Sequence, residues 1–206
     1  SLLPEFFTGK NVLDVGSGDI NGNNKSLFDN CIYNGNDVIA ARNVTIVSKT
    51  KDLPFHDAAF DTIISTECFE HDPEYAESFQ KIYKMLKPGG LFVFTCASTN
   101  RPEHGTKRTS PNDSYGTIGG LSDMVDYYKN LTETDVNDIL RLNDIFSVWD
   151  TYYNSKAFDL YFIGIKKQNP ASNSAVAVTA AAATATVQLT RYVDAHVQHT
   201  SANIRE

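Results

Sequence analysis

The chain has no apolar run of about 18 residues, so no segment reads as a membrane-spanning helix, and no signal peptide is visible. Cysteine is sparse. Cys31, Cys68 and Cys96 are far apart, form no CxxC pair and leave an odd count, which excludes a disulfide framework and points to free thiols in a reducing cytoplasm. His, Cys, Asp and Glu show no clustered metal-ligand spacing, so the sequence requires no metal. Basic charge is short as well: 18 Lys and Arg against 25 Asp and Glu leave a formal charge of -7, which argues against nucleic acid as the partner because phosphate contacts need clustered cations. No repeats of motif length occur. The chain starts at Ser1 rather than Met, as a piece of a longer protein would.

What remains is a globular composition. With 206 residues and a hydrophobic fraction of 41%, the chain can form one α/β domain with a real core and an appendage. Residues 11–15 (NVLDV) predict a short buried strand. GNDVI (35–39), VTIV (44–47) and FDTIIS (60–65) predict three more. EYAESFQKIYKMLK (74–87) repeats its apolar residues at helical spacing, starts after Pro73 and should stop at Pro88-Gly89-Gly90, a turn that no helix continues through. LFVFTCA (91–97) is the next strand. Alternating strands and helices point to a doubly wound, mostly parallel sheet. Thr132 with an acid three positions on marks a helix start leading 133–142. Residues 147–154 and 158–167 predict an antiparallel pair that closes the sheet. After Lys167 the composition turns to Ala, Thr, Val, Ser and Asn, so 1–167 reads as the folded domain and 168–206 as a linker or tail, joining a second domain or partner or docking as a C-terminal helix.

The informative stretch is VLDVGSGDINGNN, residues 12–24. An acid ends the strand and glycines follow, in the first strand-to-helix turn, where open α/β sheets bind ligands. Asp37, nineteen positions after Gly18, stands where an acid at the end of the next strand can accept from a ribose diol. GND is also good turn chemistry, so an exposed turn residue is the alternative. A nucleoside-containing cofactor follows, and two classes compete. A dinucleotide fingerprint needs GxGxxG, and Asn21 stands where the third glycine belongs, with Gly22 one position late.

VLDVGSGDING, DLPF before FDTIIS, and ECFEHDPEYAESFQKIYKMLKPGGLFVFT together resemble, in order and spacing, class I S-adenosylmethionine-dependent methyltransferases of the type 11 kind, over residues 10–167. The resemblance implies a Rossmann-like sheet whose last strand is antiparallel, and S-adenosyl-L-methionine as cofactor. It implies a binding set of Asp14 on the amino group, Gly16, Ser17 and Gly18 at the methionine part, Asp37 on the ribose and Val38 beside the adenine. Thr50 and Lys51 would lie at the adenine edge, and Thr66 and Glu67 would face the sulfonium. Two positions depart from the pattern: Ile20 replaces a third glycine, and Lys49, which cannot accept a hydrogen bond, replaces an acid expected near the adenine.

The implied activity is methyl transfer to a small-molecule, sugar or lipid acceptor, at oxygen. Candidate catalytic groups follow the fourth and fifth strands: Glu67 and His71 on one side, His104 in RPEHG as the preferred base on the other. His71 could equally brace the helix after it, and His104 could be a plain loop histidine. Residues 98–120, polar and rich in Pro and Gly, would form the lid and specificity loop. A non-catalytic cofactor-binding module and a nicotinamide-dependent oxidoreductase are the competing readings.

Overall fold

The computed structural model describes residues 3–168, so the expectations for the tail at 169–206 lie outside the described residues. Seven strands form one sheet: β1 (Asn11–Val15), β2 (Ile32–Asp37), β3 (Ile46–Val47), β4 (Phe60–Thr66), β5 (Leu86–Ala97), β6 (Phe146–Asn154) and β7 (Asp159–Lys166), in the order β3-β2-β1-β4-β5-β7-β6. β7 alone runs against the rest, pairing antiparallel with both β5 and β6. The doubly wound, mostly parallel sheet with an antiparallel last strand is therefore present. The order reverses between β1 and β4, which puts the crevice of the sheet beyond their carboxyl ends.

The helices are α1 (Tyr75–Met85), α2 (Tyr115–Ile118), α3 (Glu133–Leu140) and α4 (Leu142–Ile145). In α1 the apolar spacing works as expected, with Phe79, Ile82 and Met85 buried. The Asp72 carboxylate accepts from the Glu74 amide at 2.8 Å and the Ser78 hydroxyl at 2.6 Å, which satisfies the start of the helix. The helix stops earlier than 87. Leu86 is already extended and pairs with Phe60, because Pro88 disfavours a helical residue before it and Leu86 is better buried in the sheet. The Thr132 capping box is formed, its side chain accepting from the Asp135 amide while Asp135 accepts from the Thr132 amide at 2.8 Å. That helix ends at Leu140, since Arg141 adopts a left-handed φ of 52°.

Two further expectations are corrected. β2 begins at Ile32, not Gly35. Its polar Asn34 and Asn36 hide it from a hydrophobic scan, and pairing with β1 from Asn11↔Ile32 to Val15↔Asn36 is what forms it. The turn after β1 leads to no α-helix among the described residues, only to a single 3-10 turn at Lys25–Leu27. Asp19 and Asn23 bond the local backbone instead, Asp19 accepting from the Gly22 amide at 3.0 Å and Asn23 from the Lys25 amide at 3.1 Å.

One face of the sheet carries the main core. Phe69, Phe79, Phe92, Phe94 and Phe162 are fully buried and pack ring on ring, with Phe94 stacked on Phe162 at 5.1 Å. On the other face Leu91 packs with Leu3, Phe6 and Phe7 from the N-terminal segment.

Candidate functional site

Three acids lie at the carboxyl ends of three neighbouring strands: Asp37 on β2, Asp14 on β1 and Glu67 just after β4. Asp14 is 1% exposed. One of its oxygens accepts from the Tyr33 hydroxyl; the Asn24 side chain lies near enough to favour the charged form, but the other oxygen, Oδ1, is buried with no partner at hydrogen-bonding geometry. Burial pushes the Asp14 carboxyl up to about 7, against the pull of the Tyr33 hydrogen bond. Asp37 is held by two backbone amides, Gly18 at 3.0 Å and Val38 at 2.7 Å, and burial raises its carboxyl above the usual range. Asp37 thus bonds the glycine turn directly and is half-buried rather than an exposed turn residue.

The two glycines of the turn make room for the protein itself. A Cβ on Gly16, whose φ is 69°, would sit 2.5 Å from Cys68, and one on Gly18 would sit 2.0 Å from the Tyr115 ring. Ser17 is buried, donating its amide to the Asn36 carbonyl at 2.9 Å while its own carbonyl accepts from Asn43 at 2.9 Å. α2, from the long polar loop, therefore covers the glycine turn, and Gly119 just beyond it meets Ile39.

The adenine-edge residues are otherwise engaged. Thr50 donates to the Asn36 side chain at 3.3 Å, and Lys51 pairs with Asp52 at 3.3 Å and Glu74 at 3.5 Å. Lys49 pairs with Glu74 at 2.6 Å and with Asp123, which ties the segment after α2 to the start of α1. Thr66 is exposed and accepts from Asn24 at 3.2 Å.

Glu67 has a left-handed φ of 50°, accepts from Thr95 at 2.8 Å through Oε1, and keeps Oε2 buried without a partner. Three residues on, Glu70 is 0% exposed. The amides of Glu70 itself and of Ala97 lie near enough to favour its charged form, but neither carboxylate oxygen has a partner at hydrogen-bonding geometry. Burial and Glu67 together raise its carboxyl well above the usual range. His71 is buried, with Nδ1 unpartnered; burial, then His104, lower it to about 3, so it is neutral near pH 7. The His71 and His104 rings lie 5.0 Å apart, with Tyr128 5.0 Å from His104. His104 Nε2 is 4.0 Å from Glu70 Oε1, and its Nδ1 is 3.1 Å from the Pro102 carbonyl. The fold thus brings all three expected catalytic residues to one end of the crevice.

Residues 13–94 match the family profile described as Methyltransferase domain. Residues 13–94 are a methyltransferase domain, in the class I fold of S-adenosylmethionine-dependent enzymes. The chain is 28% identical over 108 residues to phosphoethanolamine N-methyltransferase 2 of Caenorhabditis elegans, covering 44% of this chain and 24% of that protein. It is 28% identical over 104 residues to sterol 24-C-methyltransferase of Pneumocystis carinii (strain B80), covering 48% and 26%. The alignments therefore span about a quarter of these curated relatives. Among solved structures, the fold is similar to Burkholderia thailandensis 1,6-didemethyltoxoflavin-N1-methyltransferase with bound S-adenosylhomocysteine, with TM-score 0.56 and 17% identity over 81% of this chain and 75% of that one. Haemonchus contortus phosphoethanolamine N-methyltransferase 2 follows at TM-score 0.54 and 17% identity, over 81% and 52%.

The methyltransferase domain's residues fit the cofactor on charge. Asp14 Oδ1 and Glu67 Oε2 are buried acceptors without donors, one beside the glycine turn and one at the head of the β4 loop. An ammonium and a sulfonium supply the positive charge such groups lack. Sequence reading missed Tyr33, Asn43 and Tyr115. Tyr33 lies on a strand that it did not delimit, and nothing local marks the other two. No helix of the described residues is long and apolar enough to cross a membrane.

Proposed function

We propose that this chain transfers a methyl group from S-adenosylmethionine to the oxygen of a small-molecule acceptor. The observation that carries the reading is the row of acids Asp37, Asp14 and Glu67 at adjacent strand ends, two of them with buried, unpartnered oxygens. The bound cofactor supplies an electrophilic methyl on a positively charged sulfur. Asp14 takes its ammonium, Asp37 its ribose hydroxyls, with Val38 beside the adenine, and Glu67 favours the cationic end. α2 and Tyr115, which lie over the glycine turn, would shield the nucleoside from water. The acceptor enters beside Glu70, His71, His104 and Tyr128, where His71 offers a neutral nitrogen. Alignment of nucleophile, methyl and sulfur is the protein's main contribution, because the thioether leaves readily. An amine or carbon acceptor is the second reading, favoured by the N- and C-methyltransferases among the relatives. The three free thiols suit the cytoplasm.

Calorimetric titration with S-adenosylhomocysteine, with NAD as comparison, tests the cofactor. Micromolar binding of the first and none of the second is expected. Asp37→Ala should weaken it at least tenfold, since a charge-assisted hydrogen bond is worth about 1.5–3 kcal/mol. Equal affinity in that variant overturns the ribose assignment, and absence of binding in the parent overturns the enzyme reading.

A further inference from the structure

Glu70 raises a question that methyl transfer alone does not answer. A carboxyl group with no exposed surface and no donor at hydrogen-bonding geometry on either oxygen is costly to bury. Its neighbours on the open side are two imidazoles. His71 Nδ1 is also buried without a partner, and the Nδ1 of His104 sits 3.1 Å from the Pro102 carbonyl. A carbonyl only accepts, so Nδ1 carries the proton and the lone pair of His104 is on Nε2, the nitrogen that faces Glu70 Oε1 at 4.0 Å. One donor atom from each of Glu70, His71 and His104 lies within 4.8 Å of the other two.

We infer that Glu70, His71 and His104 form a binding site for one divalent transition-metal ion at the acceptor end of the crevice. A carboxylate oxygen and two imidazole nitrogens suit zinc, manganese, iron(II) or cobalt(II) rather than calcium, which takes oxygen ligands alone. Bonds of ~2.0–2.2 Å set donors ~3.0–3.5 Å apart, so the three close in by about an ångström, well within side-chain rotation for His104 on its loop. The hydrogen bond from His104 Nδ1 to Pro102 is the outer support that fixes the ligating tautomer. Glu67 and Asp159 are further carboxyl groups nearby, and Arg101 pairs with Asp159 at 2.9 Å.

Three protein ligands leave coordination positions open. The use of those positions rests on the methyl-transfer reading above: they take the hydroxyl of the acceptor. The ion stabilises that oxygen as its proton leaves to solvent, the oxygen lone pair forms the new O–C bond, and the C–S electron pair returns to sulfur. His104 then acts as a ligand and not as the base.

The test uses the full chain, freed of metal by chelation, titrated with cobalt(II) alone and followed by visible absorption and calorimetry. One cobalt per chain, with the visible bands of a nitrogen- and oxygen-ligated ion, is expected, displaced by zinc. His104→Ala, on the loop and away from the core, should weaken binding at least tenfold, and Glu70→Gln should do the same. Circular dichroism and S-adenosylhomocysteine binding check that each variant folds. Failure to bind cobalt or zinc, or one-to-one binding that survives His104→Ala, overturns the site. The two readings fail separately: metal binding without S-adenosylhomocysteine binding keeps the metal site and removes the methyl-transfer role, and the converse removes only the metal.

Discussion

Asp14 makes the stability of the fold depend on pH, and the dependence has a calculable size. In the unfolded chain its carboxyl titrates near 3.8, and in the fold burial raises it to about 7. Between these values the native state holds a proton that the unfolded state has lost, so stability is fully present below about 4 and is lost as pH rises to 7. At ~1.4 kcal/mol per tenfold change in proton affinity, the whole loss is about 4 kcal/mol, of which about 2.5 kcal/mol falls between pH 5 and pH 8. Asp14→Asn keeps the size and removes the titration. Asp37, Asp72 and Asp159 are also raised by burial, so the useful quantity is the difference between parent and variant, in which their contributions cancel. Urea unfolding at half-unit steps should show the Asn variant gaining about 2.5 kcal/mol on the parent from pH 5 to pH 8. The proposed grip of Asp14 on the cofactor's amino group makes binding depend on the same proton. An incoming ammonium needs the ionised carboxylate, so affinity for S-adenosylhomocysteine should rise close to tenfold per unit from pH 5 to 7 and then level off, with about one proton released on binding near pH 6. Parallel stability curves for parent and variant would refute the buried neutral carboxyl, and a flat affinity profile would refute its role in holding the amino group.

Gly18→Ala places a methyl 2.0 Å from the Tyr115 ring, so α2 must lift; a loss of about 1–3 kcal/mol in urea unfolding is expected, with faster proteolysis in the 98–120 loop. Thr132→Ala removes the capping box of α3 and should cost about 1 kcal/mol without altering cofactor affinity. Phe94→Ala opens a cavity among Phe69, Phe79, Phe92 and Phe162 and should cost about 3–5 kcal/mol, enough to halve the stability of a typical domain.

The sequence alone determined the sheet type, six strands close to their observed positions, the capped helix at Thr132, the glycine turn and its acid partner Asp37. Each of these is a local signal: apolar runs, turn residues, caps and short spacings act within a few residues or one βαβ unit. Tertiary structure decided what no window along the chain contains. β2 exists in its full length because β1 pairs with it, whatever its asparagines prefer. Tyr33 reaches Asp14, and Tyr115 reaches Gly18, across contacts that have no fixed spacing. Glu70, His71 and His104 meet because β4 and β5 are adjacent parallel strands whose following loops share one end of the sheet. Parallel pairing brings the ends of distant segments together, and so composition and spacing can name the site's edge while only the folded sheet assembles its chemistry.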